Sequence, residues 1–182
     1  DRNMSTLKVS TISPLGTDAT NTITIGTNGT DTVTGACSMV PAFFARLSSN
    51  QSISSDTSTK IQVDTEIFDS DDKYDNSTNY RFTPTIAGKY FVFAGVRFDN
   101  QISQATMRAE LSFNGSIIGS NFLAANDSST NKDYTIEVSC IQIFDSDDYI
   151  ELFAQSDASG SQTINGDSTN KTYFGAYKLI GA

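Results

Sequence analysis

Apolar and polar residues alternate with period two through most of the chain beyond residue 37. In Lys89–Phe98 (KYFVFAGVRF), Tyr90, Val92, Ala94, Val96 and Phe98 share one face of an extended strand. Phe91, Phe93 and Gly95 share the other, so this strand is predicted to be central and buried on both sides. In Thr106–Phe113 (TMRAELSF), Met107, Ala109, Leu111 and Phe113 point one way and Arg108, Glu110 and Ser112 the other, the pattern of a half-exposed strand. Asn114-Gly115 follows at once and predicts a type I′ hairpin turn, with Ile117 and Ile118 opening the return strand. Further strands are expected at Phe43–Leu47, Ile61–Val63, Tyr80–Thr83, Tyr134–Phe144, Tyr149–Ala154 and Tyr173–Ile180. Pro84 cannot donate to a ladder and should end its strand, and Gly88 then opens the next. Polar stretches at Ser48–Thr59, Gln101–Gln104, Asn126–Lys132 and Ser156–Lys171 read as connecting loops, the last as a long exposed one. No window carries the i, i+3, i+4, i+7 spacing of a capped helix. About eight to ten short strands over roughly 140 residues predict an all-β antiparallel sandwich.

The leading part differs. Residues 5–36 are Thr-, Asn- and Gly-rich, with single aliphatics at Leu7, Val9, Ile12, Ile23, Ile25 and Val33. So few apolar groups cannot offset the conformational entropy of ordering the segment alone. Two parts are expected: residues 1–36 as an extended stem or attachment segment, and residues 37–182 as a globular head. A disordered tail is the alternative for the first part. MSTLKV at Met4 reads as a natural N-terminus, with Asp1-Arg2-Asn3 as an addition before it.

Composition narrows the function classes. The 182 residues carry 12 Lys and Arg against 21 Asp and Glu, a net charge of −9. Nucleic acid is therefore disfavoured as a partner, and so is an anionic membrane. No run approaches a transmembrane span, and no signal-peptide pattern opens the chain. There is no histidine and no tryptophan, so the commonest general base and a common sugar platform are both missing. Cys37 and Cys140 are far apart. Cys140 lies in an alternating run and reads as a buried small hydrophobe, with a Cys37–Cys140 bridge as the minor alternative.

One hexapeptide, IFDSDD, occurs twice, at Ile67–Asp72 and Ile143–Asp148. Alternating carboxylates could hold calcium, but the EF-hand spacing is absent. The simpler reading is a strand that ends in an acidic turn. The reading is therefore no cofactor and no metal ligands, with calcium left open. Asp71–Asp72 and Asp147–Asp148 are the acid pairs that an enzyme would need. Adjacent strand residues point to opposite faces, so neither pair flanks a bond. No catalytic or cofactor-binding residue is assigned, and the chain is expected not to be an enzyme.

The order of these elements resembles the globular head of complement first-component q subunits, a tumour-necrosis-factor-like jelly roll. Ala42-Phe43-Phe44-Ala45 is similar to the family's opening Ala-Phe-x-Ala strand, and Ile67-Phe68-Asp69 to its Ile-x-Phe-Asp element, ahead of Tyr74-Asp75-Asn76. Phe82-Thr83-Pro84 through Gly88-Lys89-Tyr90-Phe91-Val92-Phe93 resembles its Phe-x-x-Pro-x-x-Gly-x-Tyr-x-Phe signature with one extra residue. Leu111-Ser112-Phe113-Asn114-Gly115 is similar to its hairpin. Asp147-Asp148-Tyr149-Ile150 matches a later turn without the glycine, and Tyr173–Leu179 resembles the closing strand, displaced by one position. The resemblance implies a jelly roll that assembles as a homotrimer with a non-catalytic binding role. It covers residues 41–180, and the family's collagen stalk is absent. The opening MSTLKVSTISP and its Thr/Asn/Gly continuation resemble short tail-fibre or head-fibre components of bacteriophages. Three wrapped copies would let each lone aliphatic meet its symmetry mates.

Together these lead to one expectation: a phage virion structural protein, a homotrimeric tail-fibre or head-fibre knob on the virion surface, made in the host bacterial cytoplasm. Residues 1–36 would hold other virion proteins, and the head would bind a host cell-surface glycan or protein, with Asn126–Lys132 and Ser156–Lys171 as candidate adhesive loops. The alternative is a non-viral, lectin-like jelly-roll adhesin. Tyr74 and Tyr80 are the aromatics nearest a loop for stacking on sugar.

Overall fold

The computed structural model describes residues 41–101, 105–125 and 132–179, with backbone alone at 100 and 101. All belong to the unit that spans Gly35–Ala182. The stem 1–36 and its boundary, Cys37, most of Gln101–Gln104 and nearly all of Asn126–Lys132 lie outside the described residues.

Two antiparallel sheets face each other, and among the described residues there is no helix. The first sheet holds β1 (Ala42–Arg46), β2 (Gln51–Ile53), β4 (Thr65–Asp69), β7 (Gly88–Gln101), β10 (Lys132–Phe144), β12 (Gln162–Ile164) and β13 (Tyr173–Lys178). The second holds β3 (Thr59–Lys60), β5 (Tyr74–Asp75), β6 (Arg81–Phe82), β8 (Thr106–Phe113), β9 (Ser116–Ala124) and β11 (Ile150–Ser156). The long β7 is central: β10 pairs along one side, and β13 then β12 along the other. The β8–β9 hairpin turns at Asn114 and Gly115 with φ of 49° and 81°, the doubly left-handed turn the pair predicts.

The core is aromatic. Tyr90, Phe43, Phe82, Phe98, Phe144 and Phe174 are fully buried. The Phe43 ring stacks on Tyr74 and on Phe82 at 4.6 Å each, and meets Phe174 edge-on at 5.1 Å. Tyr74 and Tyr90 bring hydroxyls into this core, and each donates 2.7 Å to a backbone carbonyl, of Val63 and Ile86. Burial pushes both phenols up, Tyr90 to about 12, with Asp71 adding to the rise at Tyr90.

Three expectations need correction. Ser156–Lys171 is not a bare surface loop, nor is Ser48–Thr59: β12 and β2 lie inside them and pair with each other. Ile164 and Ile53 are their single anchors and are essentially unexposed. One apolar residue in a three-residue strand is too short a pattern for period two to reveal. At Ile61–Val63 both apolar residues are fully buried, but the strand is Thr59–Lys60, just before them. The polar side of β8 is covered instead of exposed, with Glu110 and Ser112 buried. Ser58 Oγ donates 2.6 Å to Glu110, and on neighbouring β11 the buried Glu151 pairs with Lys60 Nζ at 2.5 Å.

That last pair gives a first prediction. Lys60→Met keeps the apolar stem but leaves Glu151 buried without its cation. The expected loss is about 2 kcal/mol, below the usual cost of breaking a buried pair because Lys60 is partly solvated. Urea melts of the two proteins measure it.

Candidate binding surface

The outer face of the first sheet is the unusual feature of this molecule. Core-facing residues of β7 are Tyr90, Val92, Ala94, Val96 and Phe98, all buried, so Phe91, Phe93, Gly95 and Arg97 project outward. Cross-strand register places Tyr177 beside Phe91, Gly175 beside Phe93 and Tyr173 beside Gly95. Phe44 on β1 lies opposite Gly175, and Phe68 on β4 opposite Phe44. On β10, Ile141 and Ile143 continue the face beside Phe91 and Lys89.

The rings form one contiguous layer. Phe91 lies 5.9 Å from Phe93 and 5.5 Å from Tyr177, and Phe44 lies 6.2 Å from Phe93 and 5.9 Å from Tyr173. Two glycines let them lie flat on the sheet. A Cβ at Gly95 would stand 2.5 Å from the Tyr173 ring. A Cβ at Gly175 would stand 2.6 Å from Phe93 Cζ and 3.0 Å from the Phe43 carbonyl oxygen. The Phe43 oxygen is backbone of the adjoining strand and cannot swing aside. Gly175→Ala is therefore expected to tilt the Phe93 ring and to cost about 2 kcal/mol, a fall in Tm of about 4–8 °C in a scanning melt.

This layer is partly open to solvent. Phe68 is 53% exposed, Tyr177 44%, and Ile141 and Ile143 62% each. The face grades from apolar at Ile143, Ile141 and Phe91 to polar at Glu137, Arg97 and Asp133. Tyr173 Oη spans Gly95 to donate 2.9 Å to Glu137, and burial with that carboxylate pushes the phenol up to about 12. Arg97 pairs with Asp133 at 2.9 Å.

A second apolar surface lies at the lip where the two sheets part. All of β9 except Gly119 is exposed, including Ile117, Ile118, Phe122 and Leu123. Asn121 Nδ2 bridges the gap, donating 2.7 Å to the Glu137 carbonyl on β10. The Arg108 guanidinium lies over the Phe122 ring at 5.3 Å. Large contiguous apolar areas of this kind are rare on monomers and mark sites of association.

The structure sorts the sequence's candidate residues. Tyr90 belongs to the core, whereas Phe91, Phe93 and Tyr177 line the open face. The expectation that β7 is buried on both sides holds on one side within a single chain. Both hexapeptides are strand ends followed by acidic turns. Asp69 accepts the backbone N–H of Lys73 and Tyr74 at 2.7 Å each, and Asp148 accepts that of Asp145 at 2.6 Å. Asn114 Nδ2 also donates to Asp148. Among the described residues no three Asp, Glu, His or Cys side chains come together as a metal would need. The acid pairs Asp71–Asp72 and Asp147–Asp148 stay in these separate turns. Cys140 is a free, half-buried thiol whose pKa burial raises. Tyr74 is a core residue, its ring packed on Phe43, so it offers no platform to a sugar.

Asp71 Oδ2 is buried without a hydrogen-bond partner, and burial together with Asp69 raises its pKa. A raised carboxylate favours the fold below its ordinary value of 3.8, and that preference is lost as pH rises through the raised pKa. At neutral pH the charged form is thus a penalty. Asp71→Asn should raise Tm at pH 7 and leave it nearly unchanged at pH 3; paired thermal melts at the two pH values check both signs.

No family model matches the chain, and no curated protein matches it. Among solved structures the chain is similar to a crystal structure of murine APRIL at pH 5.0. The TM-score is 0.57 at 12% identity, covering 78% of this chain and 100% of that one. The fold is a tumour-necrosis-factor-like jelly roll. At this identity only the fold is shared. Of the stretches singled out in the sequence, Ala42–Ala45 lies in β1, Ile67–Asp69 in β4, Gly88–Phe93 in β7 and Asn114-Gly115 in the β8–β9 turn.

Proposed function

We propose that this chain is a non-catalytic binding head that works as a homotrimer, borne as a tail-fibre or head-fibre knob on a bacteriophage particle. The observation that carries the assembly is the outward-facing aromatic layer on the first sheet, in which Phe68 and Tyr177 are exposed and Phe44, Phe91 and Phe93 are half-buried. This layer is aromatic, and the apolar lip at β9, with Ile117, Ile118, Phe122 and Leu123, is a separate surface. Face-on-lip contact is heterologous, so it closes into a ring when the rotation allows, and three copies form such a ring. Each contact would cover apolar area at about 25 cal/mol per Å², over the roughly 800 Å² per partner of a standard interface. Three identical heads would then bind a surface ligand with avidity. The phage setting rests on the likeness of residues 4–36 to fibre components.

Light scattering on the full chain tests the assembly, with an expected mass three times 19.6 kDa. A monomer at micromolar concentration overturns it. Antibody labelling of particles in the electron microscope tests the virion setting: gold at fibre tips supports it, and unlabelled particles overturn it.

A further inference from the structure

A cleft of about 450 Å³ opens at the β5–β6 hairpin of the second sheet. Asp72, Lys73, Asn79, Arg81, Thr83 and Thr85 line it. Its walls are held by the chain itself. Asp75 spends its carboxylate on the backbone N–H groups of Ser77, Thr78 and Asn79 and on Asn79 Nδ2, and these bonds hold it well below the usual carboxylate range. Asp72 and Tyr80 have φ of 57° and 52°. The left-handed backbone is uncommon for a bulky residue such as Tyr80, and residues held that way cluster at binding sites.

Two cations line this cleft in a chain of net charge −9. Neither Lys73 nor Arg81 joins an ion pair among the described residues, where Lys60, Arg97 and Lys171 do. Lys73 is close enough to Asp71 to lower that carboxyl's pKa, a weaker engagement than contact. The Arg81 guanidinium lies 4.5 Å over the Tyr149 ring. Stacking fixes the plane of the fork while leaving its N–H edges free, which suits two-point binding of a carboxylate. Asp72 adds an acceptor, and Thr83 and Thr85 add hydroxyls that both donate and accept. Two cationic donors beside a carboxylate and hydroxyls suit a ligand that carries both a carboxylate and hydroxyl groups, as an acidic sugar ring does.

We propose that this cleft binds a uronate-type acidic sugar unit, with Arg81 and Lys73 on the carboxylate and Asp72, Thr83 and Thr85 on ring hydroxyls. The net negative field of the chain gives no long-range attraction to such a ligand. Affinity for one unit is therefore weak, on the order of 1 mM, and effective binding of an acidic polysaccharide relies on several heads acting together. The inference rests on the binding-head reading for that multivalency, though the cleft lies within one chain.

Titration of the full chain with D-glucuronate, followed by backbone amide chemical shifts, tests it. Saturable shifts across Asp72–Thr85 are expected, with D-glucose at least about tenfold weaker. Arg81→Gln should weaken glucuronate about tenfold or more, and Arg81→Lys less. The amide spectrum away from the hairpin reports whether each variant is folded. Absence of shifts up to about 50 mM glucuronate, equal binding of glucose, or unchanged binding by a folded Arg81→Gln protein overturns the proposal. The measured mass of the assembly is independent of all these outcomes, so a failed cleft and a failed trimer are told apart.

Discussion

Phe93→Asp is expected to turn the proposed trimer into folded monomers. Phe93 sits near the centre of the aromatic layer, in ring contact with Phe44, Phe91, Tyr173 and Tyr177. Its side chain points away from the core, so the core of one chain stays intact. The association would lose a great deal: an aspartate there would be desolvated against a neighbour's apolar lip, and Arg97 on the same face is already paired with Asp133. Charged substitutions at the centre of an interface cost about 4 kcal/mol or more, about a thousandfold in affinity. Light scattering should fall to the mass of one chain, 19.6 kDa, while the near-ultraviolet signal of the buried aromatics persists. A trimer that survives this substitution at micromolar concentration would remove the aromatic face as the contact. Thr135→Asp, at the polar end of the same sheet, should leave the mass unchanged.

Phe43→Ala has the opposite profile. Phe43 lies in the core, 1% exposed, at the junction of Tyr74, Phe82 and Phe174. Its ring ties β1 and β13 of the first sheet to β5 and β6 of the second. Truncation opens a cavity that flanking backbone cannot fill, since β1 is paired on both sides. The expected cost is about 3–5 kcal/mol, the range for buried phenylalanine. Denaturant unfolding at several protein concentrations measures it. Phe43→Leu should recover more than half. A loss under about 1 kcal/mol would mean that the stacked cluster is not a core.

The two substitutions separate two kinds of aromatic residue that look alike in the sequence. Phe43 and Phe44 are adjacent, as are Tyr90 and Phe91, and period two shows only that neighbours face opposite ways. Which face is inside depends on the second sheet. The hexapeptide IFDSDD makes the point within one chain. On β10, Phe144 is fully buried and Ile143 is 62% exposed. On β4, Phe68 is turned outward against Phe44, because the register slips between Phe44 and Ala45 and leaves Ile67 unopposed. A slip of one residue reverses the facing of every side chain beyond it. Identical sequence thus contributes to the core once and to the candidate surface once.

The candidate surface was only half legible for the same reason. Apolar residues on both faces of Lys89–Phe98 marked that strand as needing cover on each side. That Phe91 and Phe93 share a flat layer with Tyr177, Tyr173 and Phe44 follows from cross-strand register, to which residues some 80 positions apart contribute. The cleft at the β5–β6 hairpin was not legible. Its cations, Lys73 and Arg81, are ordinary surface residues in the sequence. Stacking of Arg81 on Tyr149 brings together positions from different strands.

What the sequence determined alone was the local grammar: alternation that makes strands, Asn114-Gly115 that makes a hairpin, Pro84 that stops a ladder, and acidic residues that close turns on their own backbone. These interactions span a few residues and need no distant partner. Tertiary structure decided the rest: the inward face of each strand, the burial of Ile53 and Ile164 in what read as loops, and the outward-facing aromatic layer. Each of those depends on which strands lie side by side, and burial, unlike backbone propensity, is a property of neighbours far away in the chain.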